Sequence, residues 1–407
     1  MSQMLERFIA YAKLNTRSDE KSPTIPTTPG QVVFAKVLQK ELERLNLSHI
    51  HYNEGNGFLT AVLPKNTEEN YPPIGFIAHL DTADYAADNI NPQVFPNYDG
   101  EDVCLNKDLD IHMTVSEFPN LTDYVGQTLI TTDGTTLLGA DDKAGIVEIL
   151  EAIDYFLDHP EEAHGDIWVA FGPDEEIGQG ADHFDASGFP VEYAYTIDSG
   201  RIGHFEYETF NAAQATICIQ GTSVHPGTAY GMMVNALKVA RQIDERLPKE
   251  EVPEKTQAYE GFYLLHNLKG SIDYAEMVYI IRDHDKAIFE ARKDRLVAIV
   301  DEINGGYDRE RVTIDLKDQY YNMRDIIEKD MRSVDVAVKA MKALDIEPII
   351  TPFRGGTDGS KISYMGIPTP NIFTGGENFH GQYEFITLEA METAAATIVE
   401  IVKQSKE

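Results

Sequence analysis

Cysteine and tryptophan are nearly absent from this 407-residue chain, which holds two of the first and one of the second. Cys104 and Cys218 form no CxxC pair, so neither a disulfide framework nor a thiolate metal site is expected. Two reduced thiols in a reducing compartment are the simplest reading. Positive charge is scarce as well: 34 Lys and Arg face 68 Asp and Glu, for a net charge of −34. Such a chain repels phosphate backbones, which argues against a nucleic-acid partner. Long apolar runs are missing too. No stretch approaches the ~20 residues that a bilayer span needs, and the opening Met1-Ser2-Gln3-Met4-Leu5-Glu6-Arg7 lacks the basic-then-apolar order of a signal peptide. A cytoplasmic protein with no membrane partner is the expectation.

The chain nonetheless has an ordinary apolar fraction of 42% and is long enough for two domains. Leu5, Phe8, Ile9 and Ala12 recur at helical spacing. A second helix is predicted with Val33, Val37, Leu38, Leu42 and Leu45 on its apolar face. Strand-like runs follow at 58–63, 74–78, 166–171 and 193–197, with a strong helix at 144–157 among them. Strands alternating with helices predict an α/β fold with a mainly parallel sheet, whose ligand site lies at the carboxyl ends of the strands. After Gly203 the pattern becomes β-α-β-β-α-β, the order of a ferredoxin-like α+β unit. It is read as an inserted lid, giving a catalytic domain over 1–205, a lid over 206–320 and a second catalytic segment over 321–407. There, a helix at 326–344, strands at 347–351 and 369–373, and a last helix at 388–402 are predicted. The acidic stretch 82–136 reads as mostly irregular, and loops this long are usually functional or carry short structure of their own.

Five short stretches present metal-binding side chains, most of them just after a strand-like run: His79-Leu80-Asp81, Gly139-Ala140-Asp141-Asp142, Asp174-Glu175-Glu176, Ile197-Asp198-Ser199 and Asn378-Phe379-His380. Two histidines and several carboxylates can hold two zinc ions about 3.5–4 Å apart, the arrangement that activates water for amide cleavage. His79 and Asp81 are two apart at a strand end, so both point the same way, and Asp81 can steady the imidazole. Asp141 precedes a helix on a tight turn suited to bridging two cations, while Asp142 is the expected helix cap. Of the paired Glu175 and Glu176, one can bind metal while the other moves a proton. Any one of these sites alone is weak evidence: a turn aspartate or a solvated glutamate is the commoner reading.

Together the motifs resemble those of the di-zinc aminoacylase and carboxypeptidase G superfamily, and its tripeptide aminopeptidase branch in particular. The segments that carry the likeness are Ala78–Thr82, Leu138–Gly145, Pro173–Gly178, Asp198–Gly200, Arg354–Gly359 and the His380 loop, and the likeness spans essentially the whole chain. It implies two Zn2+ per chain. His79, Asp141 and Asp198 would serve one ion and Asp141, Glu176 and His380 the other, with Asp141 bridging. It implies Glu175 as general acid/base, Asp81 as the orienter of His79, and His225 of the lid as an oxyanion donor. Arg354 looks like a bidentate clamp for a peptide α-carboxylate, with Asn267 and Arg282 weaker substrate-binding candidates on lid strands. The substrate implied is a free tripeptide, and the 82–136 stretch is expected to close the amino-terminal side of the cleft. The resemblance allows a homodimer. A di-zinc deacylase or dipeptidase, and a metal-dependent peptide-binding protein without catalysis, are the rival readings.

Overall fold

The computed structural model describes residues 2–406, and these divide into two compact units. The first runs from the N-terminal helix to Tyr207, takes in Met323–Thr351, and resumes at Thr357. The second is Glu208–Asn322 with Pro352–Gly356. That short return was expected in the catalytic segment. It belongs to the second unit because Phe353 donates its N–H to the Glu208 carbonyl and Phe210 donates to the Gly355 carbonyl.

The first unit is built on a sheet of eight strands among the described residues. In order they are Ser48–Tyr52, Leu59–Leu63, Ile167–Gly172, Ile74–His79, Tyr193–Ser199, Asn371–Phe373, His204–Glu206 and Ile349–Ile350. The four central strands, Ile167–Gly172 through Asn371–Phe373, run parallel. They read as continuous apolar runs because both faces are covered: all of Ile74–His79 is buried. Side chains alternate across the sheet. Phe76, Ala78, Val169, Phe171, Tyr195 and Ile197 join a large core with the helices Gln3–Ala12, Pro29–Arg44, Ala140–Asp158, Arg332–Ala343 and Leu388–Gln404. Ile77, Ala170 and Ala194 face the opposite layer, with Phe184, Phe189 and Ile362. Helix Ala140–Asp158 lies directly on the sheet. A Cβ on its Gly145 would meet the Ile197 carbonyl oxygen at 2.1 Å, so only glycine permits that approach.

Two local expectations are corrected. Helix Pro29–Arg44 buries Phe34, Ala35, Leu38 and Leu42, whereas Val33 and Val37 are exposed. Phe34, the larger apolar group, rotates the buried stripe away from the valines. The helix expected over 326–344 is broken into Arg324–Ile327 and Arg332–Ala343. The Asp330 carboxylate takes the Arg332 N–H and so offers the chain a turn instead of a continued helix. The 82–136 stretch is mostly irregular, as expected, and carries short structure of its own: four short strands, Gln93–Phe95, Val103–Asn106, Ile111–Met113 and Leu129–Thr131. It has a small core of its own around Tyr98, Leu105, Met113, Leu121 and Tyr124. Strands of three or four residues show too little alternation to be read in a sequence.

The second unit is a four-stranded antiparallel sheet in the order Phe262–Gly270, Tyr274–Asp283, Asn211–Gln220, Val312–Tyr320. Helices Ala236–Arg246 and Lys286–Asn304 bury Val239, Ile243, Phe289, Leu296 and Val300 against Ile217, Met277, Tyr279 and Ile281. Chain order and strand order are those of a ferredoxin-like unit. Among the described residues no helix is long and apolar enough to cross a membrane.

Candidate metal centre

The parallel strands of the first unit deliver their carboxyl ends to one place. His79 closes Ile74–His79, Asp198 lies at the end of Tyr193–Ser199, and Glu175 and Glu176 follow Ile167–Gly172 after Pro173 and Asp174. Asp141 sits at the start of helix Ala140–Asp158, after Gly139, whose φ of +76° suits glycine. His380 comes from the loop after Asn371–Phe373.

The two oxygens of Asp141 face different histidines. Oδ1 lies 2.9 Å from Nε2 of His79, and Oδ2 lies 2.9 Å from Nε2 of His380. Nε2 of His79 is also 3.4 Å from Asp198 Oδ1, and Nε2 of His380 is 3.1 Å from Glu176 Oε2. Donor atoms of His79, Glu175 and Asp198, and of His79, Asp141 and Glu176, form two sets that could each hold an ion. All five candidate ligands are thus gathered, His380 through its contacts with Asp141 and Glu176, with Glu175 among them.

Electrostatics argue that the cluster fits cations. Glu176 Oε1 is buried without a hydrogen-bond partner among the described residues. Burial and the charge of Asp141 push Glu176 up to about 7, and burial also raises Asp198, to about 6, with Asp141 adding to the effect. Burial, then the Asp198 charge, holds Glu175 well above the ordinary carboxylate range. Packed carboxylates of this kind call for positive charge. Two imidazoles supply some. Hydrogen bonds to Asp141 and Glu176 raise His380 to about 11. Burial lowers His79, but the surrounding carboxylates outweigh it and hold the ring well above its usual pKa. A bound cation would displace those protons. Imidazole nitrogen with carboxylate oxygen, and no thiolate, suits zinc or a similar divalent ion.

A second layer of carboxylates positions the first. Asp81 is fully buried. Its backbone carbonyl lies 3.0 Å and its Oδ1 3.3 Å from Nδ1 of His79. The same carboxylate also accepts the N–H groups of Glu175 and Glu176, at 3.0 and 3.2 Å. It therefore holds a histidine and the paired glutamates at once. Asp81→Asn would set an amide N–H₂ against one of those N–H donors. We expect it to lower kcat about 10- to 100-fold, the usual cost of losing an outer partner, with little change in KM; steady-state kinetics on the metal-saturated variant checks this.

Asp142, expected as a helix cap, does something else. Its Oδ2 accepts the His79 N–H at 3.0 Å and so ties the strand end to the turn. Three further acidic residues brace the cluster through backbone N–H groups. Asp174, at φ +57°, accepts from Thr27 N–H, Thr27 Oγ1 and Gln31 Nε2, which anchors the glutamate turn to the N-terminal segment. Asp358 accepts the Ala181 N–H at 3.1 Å, and burial raises it to about 7. Glu384, four residues after His380, is buried and accepts three backbone N–H groups of the Leu138–Asp141 turn. Its place at the head of an apolar run was the available signal.

Glu206 lies behind Asp198, 4% exposed, accepting from Ser199 Oγ at 2.6 Å and Asn371 Nδ2 at 3.1 Å. Burial, aided by the Asp198 charge, raises it from 4.5 to about 7. The folded chain then keeps a proton that the unfolded chain releases. This group's contribution to stability falls as pH rises from about 4.5 to 7 and is level above that. Glu206→Gln can keep both hydrogen bonds. In chelator-treated protein it should raise the melting temperature at pH 8, by an amount worth roughly 3 kcal/mol at most, and change it little at pH 4.5.

The 82–136 stretch is tied to the His380 loop. Tyr124 and Asn120 donate to Glu377, at 2.7 and 3.1 Å, and Tyr85 donates to Gln382 at 3.1 Å. Leu129–Thr131 pairs with Phe385–Thr387.

The remaining candidates lie in the second unit. His225 is exposed, and its Nδ1 accepts the Gly227 N–H at 3.1 Å, which leaves Nε2 to carry the proton of the neutral ring. The Arg354 guanidinium donates to the carbonyls of Ala258 and Glu260, both at 2.8 Å, and to Thr256. Arg282 donates to the carbonyls of Ala213 and Ile281 and lies over the Tyr320 ring. Asn267 is exposed, beside a register break in Phe262–Gly270.

A parallel α/β sheet ending in this histidine and carboxylate cluster, with a ferredoxin-like second unit, defines a metallopeptidase architecture. The sequence agrees: residues 132–404 match the model of peptidase family M20/M25/M40, and the chain belongs to that family. More narrowly, it is 59% identical to a protein named Peptidase T from Fusobacterium nucleatum, over 100% of this chain and 98% of the relative. It is 56% identical to Peptidase T of Enterococcus faecalis, over 98% of each. Among solved structures, aminopeptidase PepT from Bacillus cereus superposes with a TM-score of 0.79 at 21% identity, covering 100% of this chain and 98% of that one. A dinuclear metal-binding M20 peptidase from Bacillus subtilis gives 0.67 at 15% identity, covering 98% and 97%, and shares the fold.

Proposed function

We propose that this chain is a cytoplasmic tripeptide aminopeptidase that holds two zinc ions and removes the N-terminal residue of free tripeptides. The observation that carries the reading is Asp141, whose two oxygens meet two different histidines while Glu175 stands in the same cluster. His79, Asp141 and Asp198 would hold one ion, and Asp141, Glu176 and His380 the other. Bound there, such a pair would polarise a peptide carbonyl and bring the pKa of water toward neutrality.

The chain's own residues do the rest. Glu175 takes a proton from the attacking water and returns it to the departing amine. A carboxyl raised by burial suits this double duty, because it can hold the proton between the two transfers. Asp81 keeps Glu175 and His79 in fixed register through one carboxylate. The buried strand ends make the cluster rigid, so little reorganisation is needed during reaction. His225 as oxyanion donor, and Arg354, Asn267 and Arg282 as substrate contacts, rest on the sequence resemblance. Arg354 would have to exchange backbone partners for a substrate carboxylate.

A length series tests the reading. Free di-, tri- and tetrapeptides of one composition should be cleaved fastest at three residues. Preference for the dipeptide would make the chain a dipeptidase on the same scaffold.

A further inference from the structure

We infer that Glu384 is a positioning residue for the metal pair: it locks the turn that carries Asp141 to the loop that carries His380. The inference rests on the proposed two-metal site.

The geometry is specific. Glu384 Oε2 accepts the N–H groups of Leu138 and Gly139 at 2.8 and 2.9 Å, and Oε1 accepts the N–H of Asp141 at 3.1 Å. The residue is 1% exposed. One carboxylate thus takes three N–H donors within four residues, on a turn whose Gly139 is left-handed and whose Asp141 has non-helical angles inside a helical segment. Helical hydrogen bonding does not use these N–H groups at a helix start, so without Glu384 they would be buried and unpaired. Glu384 itself has little freedom. Phe385, the next residue, pairs with Thr131 in a strand, and His380 stands four residues before it. The single segment 380–385 therefore supplies one proposed ligand and grips the backbone of another that lies more than 200 positions earlier. The 2.9 Å approach of His380 Nε2 to Asp141 Oδ2 is a consequence of that grip. A general buried-charge role would not explain why all three donors belong to the Asp141 turn.

The test uses full-length Glu384→Gln and Glu384→Asp. Glutamine keeps the size but turns an N–H₂ group against an N–H donor. Aspartate keeps the charge but falls a methylene short. The chelated proteins are titrated with Co2+, followed by calorimetry and by the visible d–d spectrum, and kcat and KM are then measured for a free tripeptide. We expect Co2+ affinity to fall about 10- to 100-fold at one site or both, with an altered spectrum and a lower kcat, while KM holds within a few-fold. If glutamine prevents folding, the aspartate variant gives the same readout. Wild-type affinity and spectrum in the folded variants, even with a lowered melting temperature, would reduce Glu384 to a purely structural residue and overturn the inference. Failure of the wild type to bind Co2+ would instead remove the two-metal reading, and this inference with it.

Discussion

Glu175→Ala is expected to retain its metal while kcat falls about a thousandfold, within the 10²- to 10⁴-fold range of general acid–base catalysis. The carboxyl of Glu175 is close to His79 and Asp198, yet the pairs of contact centred on Asp141 are made by His79, His380 and their own carboxylate neighbours. Removing Glu175 leaves those contacts intact. What is lost is the one carboxyl assigned to carry a proton from water to amine. Its backbone N–H, which Asp81 accepts, survives the substitution, so the turn and Glu176 should stay in place. Metal content by atomic absorption together with kcat separates the two effects. Turnover within a few-fold of wild type would remove Glu175 from the mechanism.

Asp141→Ala should act in the opposite manner, through the metals. It is the only carboxylate among the described residues seen to contact both His79 and His380, so its loss strips both proposed ions of a ligand at once. It also removes one acceptor facing Nε2 of each imidazole. Metal affinity should fall by more than the 10- to 100-fold that follows removal of an outer partner, and activity should vanish at metal concentrations that saturate the wild type. His380 should lose the carboxylate that does most to raise it, and His79 one of three, after Asp198, so both pKa values should fall, which NMR titration of the chelated protein would show. A variant that keeps two tightly bound ions would exclude Asp141 as the bridge.

The residues of the candidate metal cluster were legible because most stand at a boundary with a strong local signal. His79, Glu176 and Asp198 stand at or just after apolar runs that read as buried strands, and Asp141 follows a glycine turn into a helix. Ferredoxin-like order was equally plain, since its strands are long enough to show their period. The residues that hold the ligands were harder. Asp142, Asp174, Asp358 and Glu384 act on backbone N–H groups far along the chain, and a backbone donor leaves no mark in a sequence. Asp142 shows why: next to a helix start a cap is the ordinary role, but its partner is the His79 N–H at the end of a strand 63 positions earlier. The 82–136 segment shows the same limit. Its contacts to Glu377 and Gln382 make it a buttress of the His380 loop, a role invisible without tertiary structure.

The most direct measurement is release of the N-terminal residue from a free tripeptide in zinc-containing buffer, run beside its N-acetylated twin and with chelated enzyme as control. Rapid cleavage of the free peptide alone is expected, abolished by chelation and restored by zinc. Cleavage of the acetylated peptide would contradict it and place a deacylase or carboxypeptidase on this scaffold. Zinc binding with no cleavage of either would leave a peptide-binding protein.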